Sequence, residues 1–232
     1  GTASTWNLDP IPLLIAPDEW RRLERGLIQR AKLLNAILKD CYGPQQLIHT
    51  EWLPPAQVFG QSRFLRSCHN VDPPGGVFLH FYAVDIGRGE DGRWWVLSDR
   101  TQVPAGAGYA LAKRLVVSRA FPDEIRAQHV HRLAGFFKQR RLSLSDLGMQ
   151  AGREANVVLL SPGSGHETDF EHSYLARYLG YRLVEGEDLT VRDDRVFLKT
   201  LSGLEPVDVI IRRVKDDYCD PLELRNDSVL GV

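Results

Sequence analysis

The first regular pattern in the chain is a stripe of apolar residues spaced three, four and seven positions apart. It starts after Asp18 and stops before Gly43-Pro44. This spacing places apolar side chains on one face of a helix, and glycine followed by proline ends a helix. The pattern predicts a helix over residues 18–42 with one side facing a core. That side carries Trp20, Leu23, Leu27, Leu34, Ile37, Leu38 and Cys41.

Two β-rich runs follow, at residues 77–86 and 93–101, and both are apolar on their two faces. The segment between them ends in Asp91-Gly92, a dipeptide that favours a tight hairpin turn. Strands that are apolar on both faces are typical of the interior of a sheet. We therefore expect an antiparallel hairpin buried in a larger sheet, followed by a mainly helical region over residues 109–147.

The rest of the chain alternates strand and helix patterns. A short apolar run at 156–161 precedes a glycine-rich turn, a helical stretch at 168–179 and a second apolar run at 182–185. This β–loop–α–β order is the unit of a parallel sheet. A hairpin that turns at Asp193-Asp194 and a strand over 207–212 come next.

The fold class predicted from these patterns is mixed α/β. Residues 1–17 contain three prolines and predict an extended segment before the first helix. Gly148 and Gly152 flank a polar stretch that favours a boundary between two domains. We predict one domain over residues 1–150 and a second, truncated α/β domain over residues 154–232.

Composition narrows the classes of function. The chain is 43% hydrophobic and 25% charged, with a net charge of −1, which indicates a globular protein without a nucleic-acid-binding surface. No apolar run reaches the length of a membrane span. The three cysteines are far apart and form no C-x-x-C pair, so we expect a reducing, cytoplasmic location with no membrane or nucleic-acid partner.

The first candidate site combines Asp85, Asp99 and Thr101 with the glycine-rich stretch that contains Gly106 and Gly108. Hard oxygen ligands on a rigid sheet suit Mg²⁺, and the N–H groups of glycines can approach phosphate oxygens closely. A two-residue turn at Asp91-Gly92 would pair Val84 with Asp99 and put Asp85 on the other face. Only an odd-length loop or a bulge brings both carboxylates to one side. The alternative is that Asp85 simply caps a turn while Asp99 pairs with Arg100 or Arg93.

The second candidate site is the loop after the strand at 156–161, which carries Ser164, His166 and Glu167. Open α/β sheets bind ligands at the carboxyl ends of their strands, and the start of a helix favours anions. The loop matches neither a Walker motif nor a dinucleotide fingerprint. The alternative interpretation is an ordinary tight turn with Thr168 as the helix N-cap.

The third candidate is Arg212-Arg213 at the end of the strand over 207–212. Arginines there can clamp a carboxylate or a phosphate through two hydrogen bonds. The alternative is a surface ion-pair network with the acidic residues that follow, of which Asp216 and Asp217 are the nearest.

A set of short motifs, in the same order along nearly the whole chain, resembles the circularly permuted ATP-grasp family. Each motif is weak alone, and their combination carries the resemblance. The motifs are DPIP (9–12), QR (29–30), LN (34–35), DCYGPQ (40–45), PPGG (73–76), DRTQ (99–102), GAGYAL (106–111), FEHSYLA (170–176), LVEG (183–186), KTL (199–201), RR (212–213) and DPL (220–222).

This resemblance implies an ATP-dependent carboxylate–amine ligase, distantly similar to glutathionylspermidine synthetases, that forms an amide through an acyl phosphate. ATP and Mg²⁺ are the implied cofactors, with Asp85, Asp99 and Thr101 as metal ligands. Arg100 or Arg114 would stabilise the transferring phosphoryl group. The substrates would be small-molecule or peptide carboxylates and amines.

The resemblance also sets expectations for the architecture. Residues 1–150 would be part of an ATP-grasp-like lobe, and residues 154–232 would be the Rossmann-like domain that precedes ATP-grasp in unpermuted relatives. The loop at 162–172 would face the acceptor substrate. Members of the family extend beyond both ends of this chain, so we expect an inactive fragment whose ATP-binding lysines lie further on.

The chain departs from the pattern of the synthetases in three places. Ala83 stands where an arginine is expected, Asp99-x-Thr101 replaces a Glu-x-Asn pattern, and Lys113 occupies the position of a polar amide. A non-catalytic binding or scaffold module of the same descent is the alternative function. It would be favoured if Asp85 and Asp99 lay on opposite faces of their hairpin.

Overall fold

The computed structural model describes residues 11–149 and 153–232. The DPIP motif begins before this range, and residues 150–152 of the predicted domain boundary lie outside it as well. The helices in the described ranges are α1 (Pro17–Cys41), α2 (Gln46–His49), α3 (Pro55–Phe59), α4 (Ala107–Ala120), α5 (Pro122–Ala127), α6 (Ala134–Gly148) and α7 (Asp169–Leu179). The strands are β1 (Ala83–Arg88), β2 (Trp94–Arg100), β3 (Val157–Leu160), β4 (Arg182–Val184), β5 (Leu189–Arg192), β6 (Arg195–Thr200), β7 (Gly203–Pro206) and β8 (Val209–Arg212).

Helix α1 confirms the first sequence prediction to within one residue at each end. Pro17 occupies the first helical turn, where its missing N–H costs nothing, and two acidic residues next to it suit the positive end of the helix dipole. The helix packs against the β1–β2 hairpin, and its first turn is fixed there because the indole N–H of Trp94 donates to Glu19 over 2.8 Å. No helix in the described ranges, α1 included, is both long and apolar enough to cross a membrane.

The β1–β2 hairpin forms a sheet of two strands within the described residues. The prediction that it is buried in a larger sheet is therefore wrong for this chain, and most of β2 is exposed. The turn is wider than a two-residue turn, because Arg88 pairs with Trp94. A bulge after Asp85 then restores the pairing of Val84 with Asp99.

The segment just before β1 was predicted as strand, and the structure shows a different role for it. The amides of Phe78 and Leu79 both donate to the side-chain oxygen of Asn35, over 2.9 Å and 3.0 Å. Because one asparagine on α1 satisfies both donors, this backbone does not need a neighbouring strand. Strand β1 consequently begins six residues later than the predicted start.

The helical region predicted over 109–147 is divided into α4, α5 and α6. The division after α4 falls at Phe121-Pro122, because a proline cannot continue a helix that precedes it. The second division includes His129, whose φ of 48° is left-handed and interrupts a helix.

The second half of the chain confirms the predicted β–loop–α–β order. Strand β3 pairs in parallel with β4 and with β8, which gives the order β4-β3-β8. Gly180 ends α7 with a φ of 75°, as a helix-terminating glycine does. Asp193 and Asp194, both at positive φ, form the turn of the β5–β6 hairpin. Strand β7, which the sequence pattern missed, adds a third antiparallel strand to β5 and β6.

The parallel sheet separates two hydrophobic clusters. One cluster joins α4, α6 and α7 to one face of the sheet, through residues such as Leu111, Phe137, Leu159 and Leu175. The other joins the opposite face to the β5–β6 hairpin, through Val158, Leu160, Val184, Leu189, Leu198 and Val214. The core thus continues across the predicted domain boundary, because α4 and α6 pack directly on β3, β8 and α7.

Replacing Gly108 by alanine should destabilise the protein by about 1–3 kcal/mol, as expected for overpacking in a core. An added Cβ would lie 2.7 Å from Cγ of Glu171 and 3.2 Å from Cγ of Leu175. Gly135 occupies the same second position in α6, with nothing within 4 Å of an added Cβ. Gly135→Ala should therefore stabilise, by about 0.5–1 kcal/mol. Urea denaturation measures the free energy of unfolding of both variants. Equal changes in the two variants would contradict the close contact between Gly108 and Glu171.

Candidate functional site

Asp85 and Asp99 lie on opposite faces of the hairpin. Asp85 stands opposite Ser98, and Asp99 stands opposite Val84. Directly opposed residues of an antiparallel pair share a face, and neighbours along a strand alternate between faces. The bulge that could have brought both carboxylates together is present, but the wide turn cancels its effect on the register.

Asp99 faces α1 and is held by two donors there. Arg30 donates from Nε over 2.7 Å and also from Nη2, and the hydroxyl of Tyr82 donates over 2.6 Å. The hydrogen bonds from Arg30, and then from Tyr82, lower the pKa of Asp99 to about 2. Burial, followed by the hydrogen bond to Asp99, raises the pKa of Tyr82 to about 12.

Asp85 lies on the outer face of the hairpin and is paired there with Arg100. The Arg100 guanidinium donates from Nε over 2.8 Å, and the hydroxyl of Ser98 donates as well. These two hydrogen bonds, that of Ser98 first, lower the pKa of Asp85. The prediction that Asp85 and Asp99 bind one metal ion is therefore wrong, because each carboxylate is neutralised by a different arginine on a different face. No group of three or more histidine, cysteine or acidic side chains that could hold a metal occurs among the described residues.

The other residues assigned to phosphoryl transfer are also separated. Arg100 is engaged with Asp85, whereas Arg114 lies on α4 and donates to the carbonyl of His131 over 3.2 Å. Thr101 follows β2 and lines a cleft beside Val103 and Pro104.

The glycine-rich stretch binds an anion, and the anion is a side chain of the protein itself. The amides of Gly106 and Gly108 donate to Oε1 of Glu171 over 2.7 Å and 3.0 Å. Gly106 has a φ of 115°, a conformation that other residues rarely adopt, and it precedes the first turn of α4. The donors predicted for phosphate are therefore occupied by a carboxylate from α7.

Glu171 is completely buried and also pairs with an arginine at the carboxyl end of the parallel sheet. Arg213 follows β8 and donates from Nη2 to Oε2 of Glu171 over 3.2 Å. Its Nη1 donates to the carbonyl of Pro104 over 2.9 Å, which fixes the loop before α4. With 4% and 0% of their side chains exposed, Arg213 and Glu171 form a buried ion pair that links three elements.

A second buried arginine, Arg140 on α6, lies near this pair. Its guanidinium carbon stands 4.4 Å from the ring centre of Phe81, over the face of that ring. Burial first, then the positive charge of Arg213, lowers the pKa of Arg140 to about 10. Two clefts of about 230 Å³ each flank the His80-Phe81 segment, one lined by Arg140 and the other by Arg212 and Arg213.

The loop after β3 begins with a buried polar pair. Ser161 Oγ and His172 Nδ1 are 3.1 Å apart, and the amide of Gly163 donates to Ser161 over 3.3 Å. Burial, followed by the charges of Arg213 and His166, lowers the pKa of His172 to about 4. Since Ser161 is only 2% exposed and His172 only 1%, the pair orients the loop rather than presenting a nucleophile.

The predicted substrate-binding residues of this loop, Ser164, His166 and Glu167, are all exposed. Thr168 takes the N-cap position of α7, but its hydroxyl bonds to His166 Nδ1 over 2.8 Å instead of capping the helix. At the end of β8, Arg212 pairs with Asp216, which agrees with the ion-pair interpretation. Arg213 belongs instead to the buried pair with Glu171.

Sequence reasoning missed Glu171 and Arg140 as the charges that organise the site. A signal for both exists in the helical spacing. Arg140 lies between Phe137 and Leu144 on the buried face of α6, and Glu171 precedes Leu175 on the buried face of α7. A charged residue within an apolar stripe indicates a buried charge that needs a partner.

The fold and site define an α/β protein with a three-stranded parallel sheet and a buried ion pair at its carboxyl edge. The chain belongs to the family described as circularly permuted ATP-grasp type 2, which matches residues 12–232. This finding confirms the family indicated by the motifs.

The chain is similar to proteins of mycobacteria and of a cyanobacterium. It is 43% identical to the uncharacterized protein Rv2567 of Mycobacterium tuberculosis over 98% of this chain and 26% of that protein. It is 40% identical to the uncharacterized protein sll0335 of Synechocystis over 100% of this chain and 48% of that protein. The chain thus spans from about a quarter to about half of the length of these relatives.

Replacing Glu171 by glutamine should destabilise the fold by about 3–5 kcal/mol, because it leaves buried arginine charge without a partner. The exposed Glu167 on the adjacent loop provides the matched control, and Glu167→Gln should change stability by no more than about 0.5 kcal/mol. Chemical denaturation at neutral pH measures both variants. Equal stability of the two would contradict the role assigned to the buried pair.

Asp99→Asn should lower the melting temperature near pH 6, and the difference from the unchanged protein should shrink as the pH falls from about 4 toward 2. The pKa of Asp99 is about 2 in the folded protein and 3.8 ordinarily, so its stabilising contribution is present above the ordinary value and disappears below the folded one. Asp123, an exposed partner of Arg126, is the control. A melting-temperature difference for Asp99→Asn that does not vary with pH would contradict this account.

Proposed function

We propose that the whole protein is an ATP-dependent carboxylate–amine ligase, and that this chain contributes substrate-binding surface to it. The family supports an ATP-dependent ligase. The finer features, which are an acyl-phosphate intermediate and small-molecule or peptide acids and amines as substrates, are part of the proposal. Within it, residues 1–150 correspond to part of an ATP-grasp-like lobe and residues 154–232 to the Rossmann-like domain.

The described residues do not fit MgATP. The two candidate metal carboxylates face apart and are neutralised by Arg30 and Arg100. The backbone donors at Gly106 and Gly108 are satisfied by Glu171. We therefore assign no step of phosphoryl transfer to this chain, and we place the nucleotide site in parts of the whole protein beyond it.

The observation that carries the proposed role is the cleft that runs along β8, an edge strand of the parallel sheet, to its carboxyl end. One wall contains all of β8 and then Arg213, and the other side contains Thr101 and Pro104. Ligands of open α/β proteins bind at the carboxyl ends of the strands, where Arg212 and Arg213 stand. Arg212 is half-buried there and can approach an anionic group by exchanging its contact with Asp216.

A second candidate function is a non-catalytic binding module. The opposite orientation of Asp85 and Asp99 is the observation that favours it, since a catalytic metal site would need both carboxylates in one pocket. The two functions differ in whether the whole protein binds and consumes ATP.

The test uses the full-length protein. Isothermal titration should show MgATP binding, and a mixture of candidate acids and amines should stimulate release of ADP. Asp99→Asn and Asp85→Asn should leave the Kd for MgATP unchanged, whereas a metal site at either residue would make that Kd larger. Absence of MgATP binding by the full-length protein would contradict the ligase proposal and favour the binding module.

A further inference from the structure

Arg140 is a buried cation with no anionic partner among the described residues. It is 9% exposed, its Nε atom is buried without a hydrogen-bond acceptor, and no carboxylate of these residues lies within 4.0 Å of its guanidinium. The guanidinium carbon lies 4.4 Å from the ring centre of Phe81, which gives a cation–π contact. A cation–π contact contributes about 0.5–2 kcal/mol, which is less than the several kcal/mol that burial of a charge costs.

The charges around Arg140 do not balance. Arg140 and Arg213 are both buried, and Glu171 is the carboxylate that faces them. Glu171 already accepts hydrogen bonds from Arg213 and from two amides. One positive charge is therefore left over at this site.

The spare charge lies on the wall of a cleft of about 230 Å³. Apolar walls come from Phe81, Phe136 and Leu144, and Phe136 is 57% exposed. Polar groups that can donate hydrogen bonds come from His80, Gln139 and Ser143. The cleft thus combines one buried cation, several neutral donors and an aromatic surface that is accessible from solvent.

We propose that this cleft binds a carboxylate whose substituent is apolar or aromatic. A carboxylate carries one negative charge and would balance the site, whereas a phosphate dianion would reverse the imbalance. Its planar oxygens match the guanidinium of Arg140. Phe81 and Phe136 would cover the substituent.

This inference deepens the proposed function and rests on it in one respect only. If the whole protein is a carboxylate–amine ligase, the bound group belongs to its acid or its acceptor substrate. Binding to the cleft itself requires no nucleotide. If the full-length protein binds the carboxylate but does not consume ATP, the cleft inference holds and the ligase proposal fails. If it consumes ATP but does not bind the carboxylate in this cleft, only the ligase proposal holds.

The test measures binding of phenylacetate to the full-length protein without nucleotide, with phenylacetamide and inorganic phosphate as comparison probes. Phenylacetate should bind more tightly than either. Arg140→Met should weaken its binding by about ten- to a hundredfold, the equivalent of one charge-assisted hydrogen-bonding group. Arg140→Lys keeps the charge but loses the planar pair of donors, so its affinity should lie between those of the unchanged protein and Arg140→Met. Arg141→Met, at an adjacent arginine that is 59% exposed, should leave binding unchanged.

Thermal unfolding without ligand separates a binding role from a structural one. Because the charge of Arg140 is uncompensated, Arg140→Met should raise the melting temperature, whereas a structural arginine would give a lower one. A lower melting temperature or a failure to fold would overturn the proposal. So would equal affinity for phenylacetate and phenylacetamide, preference for phosphate, unchanged binding to Arg140→Met, or no binding of phenylacetate.

Discussion

The buried carboxylate of Glu171 is the contact on which the arrangement of the site depends. It accepts two hydrogen bonds from the start of α4 and one from Arg213 at the end of β8, while its own helix, α7, packs on the same sheet. Further hydrogen bonds help to offset the desolvation of a buried ion pair, and here two glycine amides donate to Oε1 of Glu171. Removing the carboxylate would leave Arg213 without a counter-charge and the amides of Gly106 and Gly108 without their acceptor.

This contact also decides what the neighbouring residues can do. Gly108 must lack a side chain because Cγ of Glu171 occupies the space where a Cβ would stand. Because the single negative charge of Glu171 already faces Arg213, it cannot balance Arg140 as well. The interaction of Glu171 with Arg213 and the glycine amides therefore occupies the donors predicted for phosphate, and among the described residues it leaves Arg140 unpaired beside an aromatic cleft.

Charged side chains also hold the β1–β2 hairpin against its neighbouring helix. Asp99 joins the hairpin to α1 through Arg30, and Trp94 joins it to the start of the same helix through Glu19. These contacts use the carboxylate that the family resemblance assigned to a metal. The chain therefore retains motifs of its family, while the described geometry uses Asp99 to join the hairpin to α1.

Features that depend on residues close together along the chain, and the family motifs, can be recognised without coordinates. These are the helix that ends at Cys41, the β–loop–α–β order, the turn at Asp193-Asp194 and the family. The tertiary structure decided which distant groups meet: Arg30 and Asp99 are 69 positions apart, and Gly106 and Glu171 are 65 apart. Local spacing reports burial and turns, but the meeting of distant side chains depends on strand register and helix packing. One bulge and one wide turn in the hairpin were enough to set the face of Asp85, and no local pattern encodes their combined effect.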